Sequence, residues 1–277
     1  MGGGKLYSWT MREYLDFDAV SSSNLRDIAL KSPLDYKHGD KDETDGMRLG
    51  TATHCLTLEP HRFSDTHAVW NVKNSSGDLL ARNPRFKKWQ EFEHANHGKN
   101  IITPDQHKDA RDQADTIRKE PQAAQLITLS GGVAEASIVV NMGHDVLVKI
   151  RPDWMTNGTL VHLKGVHTTN PRKLWNNAYD MGWHITFALY HDAAYMFDKK
   201  NRESWVVVCR NSRPYYAKAL IVPDDFLECG RDEYTESMEK LLECRRTGEW
   251  PGDLHEHTCI ELPPWVKRRR QMEELLA

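Results

Sequence analysis

The stretch from residue 134 to 222 constrains the fold of this chain more than any other. Segments 134–141, 145–153 and 159–164 alternate or run apolar, are rich in β-branched residues, and are set off by the turn signals Met142-Gly143 and Asn157-Gly158. A run at 174–197 follows, apolar and aromatic nearly all round, which predicts one long buried helix. Segments 204–210 and 215–222 predict two more strands, joined through Asn211-Ser212-Arg213-Pro214. Strands interleaved with a helix in this order predict an α/β fold, a central mixed sheet flanked by helices.

The N-terminal part reads as mainly helical. Ser21-Ser22-Ser23 caps a short helix that Ser32-Pro33 closes. A polar loop is expected at 38–46, a helix at 49–58, and a partly irregular stretch at 70–100 with a helix near 84–97. Thr103-Pro104 starts a long helix running to about residue 119, with Thr as N-cap and Pro at the first helical position. Pro121 opens another short one. Pro223-Asp224-Asp225 opens the last long helix, to about residue 247, before a turn at 263–265 and a basic tail at 267–270. The expected organisation is one domain over 1–277, with 1–125 mainly helical and 126–277 holding the sheet and C-terminal helix. The leading MGGG reads as a flexible end.

Composition narrows the class. Of the 277 residues, 39% are hydrophobic and 28% charged, enough for a globular core. The net charge of −3 gives no global attraction to nucleic acid, so any such contact has to come from a local basic surface. The five cysteines, Cys55, Cys209, Cys229, Cys244 and Cys259, are scattered without metal-binding CxxC spacing, which predicts reduced thiols in a cytoplasm. No apolar run has the length of a membrane span, and no membrane association is expected.

The chemistry concentrates between residues 146 and 169. Alternation places Lys149, Arg151 and Asp153 on one strand face. If the next strand pairs back through Asn157-Gly158, Asp153 and Lys164 converge. A carboxylate can then bind a divalent ion, and an ammonium beside it can orient water or stabilise charge developing on a phosphate. Exposed charges on a hairpin would read the same way.

Several segments, in order along nearly the whole chain, resemble the PD-(D/E)xK exonucleases of phage and prophage recombination. The likeness is greatest to the RecE (exonuclease VIII) type, and more distant to RecB/AddB nuclease domains and lambda exonuclease. They are Ser21-Ser22-Ser23-Asn24-Leu25 with Ser32-Pro33, Gly50-Thr51-Ala52-Thr53-His54 with Leu58-Glu59-Pro60, and Ala134-Glu135-Ala136-Ser137. Lys149-Ile150-Arg151-Pro152-Asp153, His162-Leu163-Lys164 before Thr168-Thr169, the run from Trp183 to Tyr190, and the endings Glu249-Trp250-Pro251 and Leu262-Pro263-Pro264-Trp265 complete the set.

The resemblance implies a restriction-endonuclease-like core and a metal-dependent exonuclease that degrades one strand 5′→3′ from the ends of linear double-stranded DNA. It also implies a single-strand annealing protein as partner, a homo-oligomeric ring, and a cytoplasmic setting in a bacterial or phage-infected cell. Lys164, Glu135 and Asp153 would be catalytic. His54, Asp153 and His162 would bind Mg²⁺, with Mn²⁺ as the alternative ion. Tyr190 and Thr186 would face DNA, and Arg48 and Arg151, read from the residues alone, are candidates for DNA backbone phosphate contacts or surface pairs.

The chain departs from the family pattern at three points: His162 stands where Asp or Glu is expected, Thr186 where Gln is expected, and Gly165-Val166-His167 precede the threonine pair. An imidazole is neutral and favours softer ions than Mg²⁺. Two other readings therefore stay open: a catalytically inactive DNA-binding or regulatory protein on the same fold, and an endonuclease or nickase with a metal-shifted site.

Overall fold

The computed structural model describes residues 4–40, 44–143, 146–254, 259–260 and 262–275. The MGGG end, part of the expected 38–46 loop and Asp145 at the start of an expected strand lie wholly or partly outside them.

β1 (Lys5–Tyr7) and α1 (Met11–Asp16) come first, the helix opening on a capping box between Thr10 and Glu13. α2 (Ser22–Leu30) starts at the serine cluster, and α3 (Pro33–His38) uses Ser32 as its cap. α4 (Asp45–Leu58) begins ahead of its expected start because the Thr44 hydroxyl accepts from the Met47 N–H. α5 (Phe63–Thr66) and β2 (His67–Val69) precede the 70–100 stretch, α6 (Lys87–Ala95) lies where a helix near 84–97 was expected, and β3 (Asn100–Ile102) follows. β2 and β3 pair in parallel as a small sheet of their own. α7 (Pro104–Lys119) and α8 (Pro121–Ile127) start at the two prolines, as expected.

The central strands follow: β4 (Val133–Ala134), β5 (Ser137–Asn141), β6 (Leu147–Ile150), β7 (Trp154–Met155) and β8 (Thr159–Val166). α9 (Pro171–Asp180) and α10 (Trp183–Asp198) cross over to β9 (Glu203–Arg210) and β10 (Ala217–Ile221). α11 (Asp224–Thr247) and α12 (Pro264–Leu275) end the chain. The 263–270 segment is therefore largely helical, where a turn and tail were expected.

The five-stranded sheet has the order β10-β9-β8-β7-β4, and only β8 and β9 pair in parallel. β1-β5-β6 form a second, antiparallel sheet. The expected strand at 134–141 is split between the two sheets as β4 and β5. The expected strand at 145–153 ends at Ile150, and β7 begins beyond Pro152, which has no N–H to offer a ladder. One hairpin thus bends from sheet to sheet at residues 135–136 and 151–153. The helix expected at 174–197 is likewise two helices. Gly182 lies between them at φ +66, a left-handed conformation that suits glycine.

Both faces of β8 and β9 are covered. Leu160, Val166, Val206 and Val208 join a core built with α2, α9, α10 and α11, whereas Val161, Leu163, Val207 and Cys209 pack on α7 and α8. The result is helix, sheet, helix layering. Among the described residues no helix is long and apolar enough to cross a membrane.

α10 and α11 approach closely at Gly230, where a Cβ would lie 2.0 Å from the His184 carbonyl oxygen. Further along, Asp192 accepts from Arg231 Nε at 2.7 Å, Arg231 Nη2 at 2.8 Å and the Tyr234 hydroxyl at 2.7 Å. Burial works against its charge, but Arg231, His191 and Tyr234 outweigh it and hold its carboxyl below the usual range. A depressed folded-state pKa gives stability that is present above the unfolded value and is lost as pH falls through the folded one. Asp192→Asn is expected to cost about 2 kcal/mol in urea denaturation at neutral pH. The gap from the parent should narrow as pH drops below about 3.9, and a gap constant with pH would contradict this role.

Candidate metal centre

The bend of the hairpin is where the site is built. Glu135 adopts φ +50, uncommon for a residue with a Cβ, and its N–H donates to the Asp153 carbonyl at 3.1 Å. Asp153 comes out of the bend after Pro152. Its Oδ2 accepts from the Leu163 N–H of β8 at 2.6 Å, so the expected pairing through Asn157-Gly158 does bring the two strands together. His54 arrives from α4, with Nδ1 at 3.0 Å from Asp153 Oδ1 and 3.9 Å from Glu135 Oε1. One ligand atom from each of His54, Glu135 and Asp153 lies within 4.8 Å of the others. Lys164 lines the adjoining cleft of about 120 Å³ with Gly50, His54, Gln113 and Asn211, room for several waters.

The charges are tightly interdependent. Burial raises the Glu135 pKa, and the neighbouring Asp153 carboxylate raises it further. Burial also opposes ionisation of Asp153, but His54 and Lys164 overcome that and depress its pKa. Burial works against the His54 cation, while Asp153 and Glu135 favour it, with a net rise. Lys164 is lowered by burial, against the pull of Asp153. Two carboxylates and an imidazole form a mixed oxygen and nitrogen donor set that suits a divalent cation, and such an ion would relieve the repulsion between the carboxylates.

His162 is not part of this donor set. It is 1% exposed, stacked on Phe187 with ring centroids 4.2 Å apart, and its Nε2 has no hydrogen-bond partner. Burial pushes its pKa down to about 3, so the ring is neutral. The expected third ligand is thus replaced in the geometry by Glu135.

Arg151 and Thr186, both expected to face DNA, also turn inward. Lys149 and Arg151 do share a face, both near the Tyr14 ring at 5.0 and 5.7 Å, but the N-terminal segment covers it. Lys149 Nζ donates to the carbonyls of Tyr14, Leu15 and Phe17, and Arg151 to Glu135, Ser137 and the Trp9 carbonyl. Thr186 is buried, and its hydroxyl donates to the Gly182 carbonyl. Tyr190 is half-buried with its ring 5.5 Å from that of His162, and Arg48 reaches the Ile101 carbonyl at 3.5 Å.

Gln113 was missed. It is 2% exposed and donates no hydrogen bond through Nε2, yet it shares the buried stripe of α7 with Ala110, Ala114 and Ile117. A polar residue on an apolar stripe was the available signal.

Arg151 pairs with Glu135 at 2.8 Å, with side chains 7% and 17% exposed. Removing one partner of such a pair strands the other charge. Arg151→Met is expected to lower stability by about 3–5 kcal/mol, and Glu135→Gln in the same chain should recover much of that in chemical denaturation. An unchanged denaturation midpoint with weakened DNA binding would instead make Arg151 a phosphate contact.

A comparison with curated proteins finds no match. Among solved structures, a "putative exonuclease" from Eubacterium rectale superposes with a TM-score of 0.62 at 13% identity, covering 93% of this chain and 96% of that one. At that identity the likeness speaks for the fold alone. The family described as "PDDEXK-like domain of unknown function (DUF3799)" matches residues 21–262, nearly the whole described chain. The chain belongs to this PDDEXK-like family and carries the PD-(D/E)xK nuclease fold.

Proposed function

We propose that this chain is a metal-dependent nuclease, and specifically an exodeoxyribonuclease acting on the ends of linear double-stranded DNA. The observation that carries this reading is the convergence of His54, Glu135 and Asp153 at the hairpin bend, with Lys164 in the adjoining cleft. The finer expectations come from the resemblance to RecE-type enzymes: degradation of one strand 5′→3′, delivery of 3′ tails to a single-strand annealing protein, and a homo-oligomeric ring.

His54, Glu135 and Asp153 would hold the ion, with Mg²⁺ or Mn²⁺ as the candidates. Such an ion supplies a charge clamp on the scissile phosphate and a water that deprotonates readily. Asp153 would offer Oδ1, since the Leu163 N–H already occupies Oδ2. Lys164, destabilised as a cation by burial, is suited to steady negative charge developing on the phosphate. Glu135 contributes the second carboxylate that His162 cannot, and Arg151 holds it in place. Arg48 and Tyr190 are the remaining candidates for DNA contact.

A second reading, a DNA-binding protein without cleavage, is favoured by one observation: the neutral, inward-packed His162 at the position of the family acid. End-labelled linear duplex incubated with Mg²⁺ or Mn²⁺ separates the two. The parent chain is expected to shorten one strand, Asp153→Asn and Lys164→Ala to lose roughly a hundredfold or more of that rate, and closed circular DNA to stay intact. A parent chain inert with both ions, while His162→Asp cuts, would establish the second reading. Cutting of closed circles would make the enzyme an endonuclease.

A further inference from the structure

A second ligand cluster lies where α9, α10 and α11 meet. His184, at the start of α10, is 0% exposed and stacks on Tyr179 with centroids 4.5 Å apart and an interplanar angle of 6°. Neither of its ring nitrogens makes a hydrogen bond. Nε2 lies 3.0 Å from Glu233 Oε2, near in distance but without hydrogen-bond direction. Cys229 and Glu233 stand one turn apart on α11, with Cys229 Sγ 3.9 Å from Glu233 Oε1. One ligand atom from each of the three residues lies within 4.8 Å of the others. The Tyr179 hydroxyl donates to Glu233 Oε1 at 2.9 Å.

We propose that His184, Cys229 and Glu233 form a transition-metal site, distinct from the centre at Asp153, that takes Zn²⁺. The donor set decides the ion: a thiolate, an imidazole and a carboxylate suit zinc and disfavour Mg²⁺. Tetrahedral zinc with ordinary bond lengths would set N···O at about 3.3 Å, close to the 3.0 Å from His184 Nε2 to Glu233 Oε2, while Cys229 Sγ lies 3.9 Å from the other oxygen, Oε1. A fully buried imidazole with no hydrogen bond at either nitrogen is costly, and an ion at Nε2 removes part of that cost. Cys229 and Glu233 are half-buried, so the fourth position opens toward solvent and takes a water. Binding releases the Cys229 thiol proton to solvent. Tyr179 orients the carboxylate from outside the ligand set. The ion would tie α10 to α11, and α10 also carries Phe187, the ring beneath His162.

Cobalt titration of the metal-free chain tests this. Thiolate-to-cobalt charge transfer absorbs in the near ultraviolet, and the His54, Glu135 and Asp153 centre contains no sulfur. The band is expected to appear with the parent, to vanish in Cys229→Ser and to persist in Cys55→Ser, the cysteine beside His54. Tyr179→Phe should weaken cobalt binding, read from the same band, by roughly tenfold. In the unaltered chain, Zn²⁺ should protect Cys229 from iodoacetamide, as mapped by mass spectrometry. Absence of the band, its survival in Cys229→Ser, or equal labelling of Cys229 with and without Zn²⁺ would each overturn the proposal.

Discussion

Glu135 and Asp153 are held side by side away from bulk water, and the rest of the site is arranged around that repulsion. The backbone forces the pairing. The Glu135 N–H donates to the Asp153 carbonyl at the point where the hairpin passes from one sheet to the other. Positive groups then gather: Arg151 on Glu135, and His54 on Asp153 with Lys164 nearby. At close range in a low-dielectric setting, such charges interact far more strongly than on a wet surface. A divalent cation is the natural complement to this arrangement, and α4 is placed to complete its ligand set.

Much of this was legible in the sequence where local chemistry dominates. Thr103-Pro104 and Pro121 start α7 and α8 because caps and prolines act within one turn. The turn at Asn157-Gly158 brings the Asp153 segment onto β8, whose Leu163 N–H then holds the Asp153 carboxylate. What failed depended on neighbours distant in sequence. Alternation rightly put Lys149 and Arg151 on one face, but nothing local says that residues 9–17 fold over it. Gly182 was lost inside an apolar run because the residues on both sides are core-forming. Glu135 was expected as a catalytic acid, but no local sign placed its carboxylate in the donor set with His54 and Asp153.

His162 packs as a core residue beside the cluster. The ring fills the space beneath β8 against Phe187, as an apolar residue would, and stays neutral. The carboxylates of the cluster come instead from Glu135 and Asp153, one on each strand of the bent hairpin. α10 underlies the packing of His162, since Phe187 and Tyr190 both lie against its ring.

On the proposed reading, His54, Glu135 and Asp153 share one divalent ion. A crystal of the chain soaked in Mn²⁺, with the ion located by its anomalous scattering, tests it most directly. A single peak is expected at this bend within bonding distance of His54, Glu135 and Asp153, with Lys164 beside it. A peak bound through Asp153 and His162 with Glu135 turned away, or no peak at the bend at saturating Mn²⁺, would contradict it.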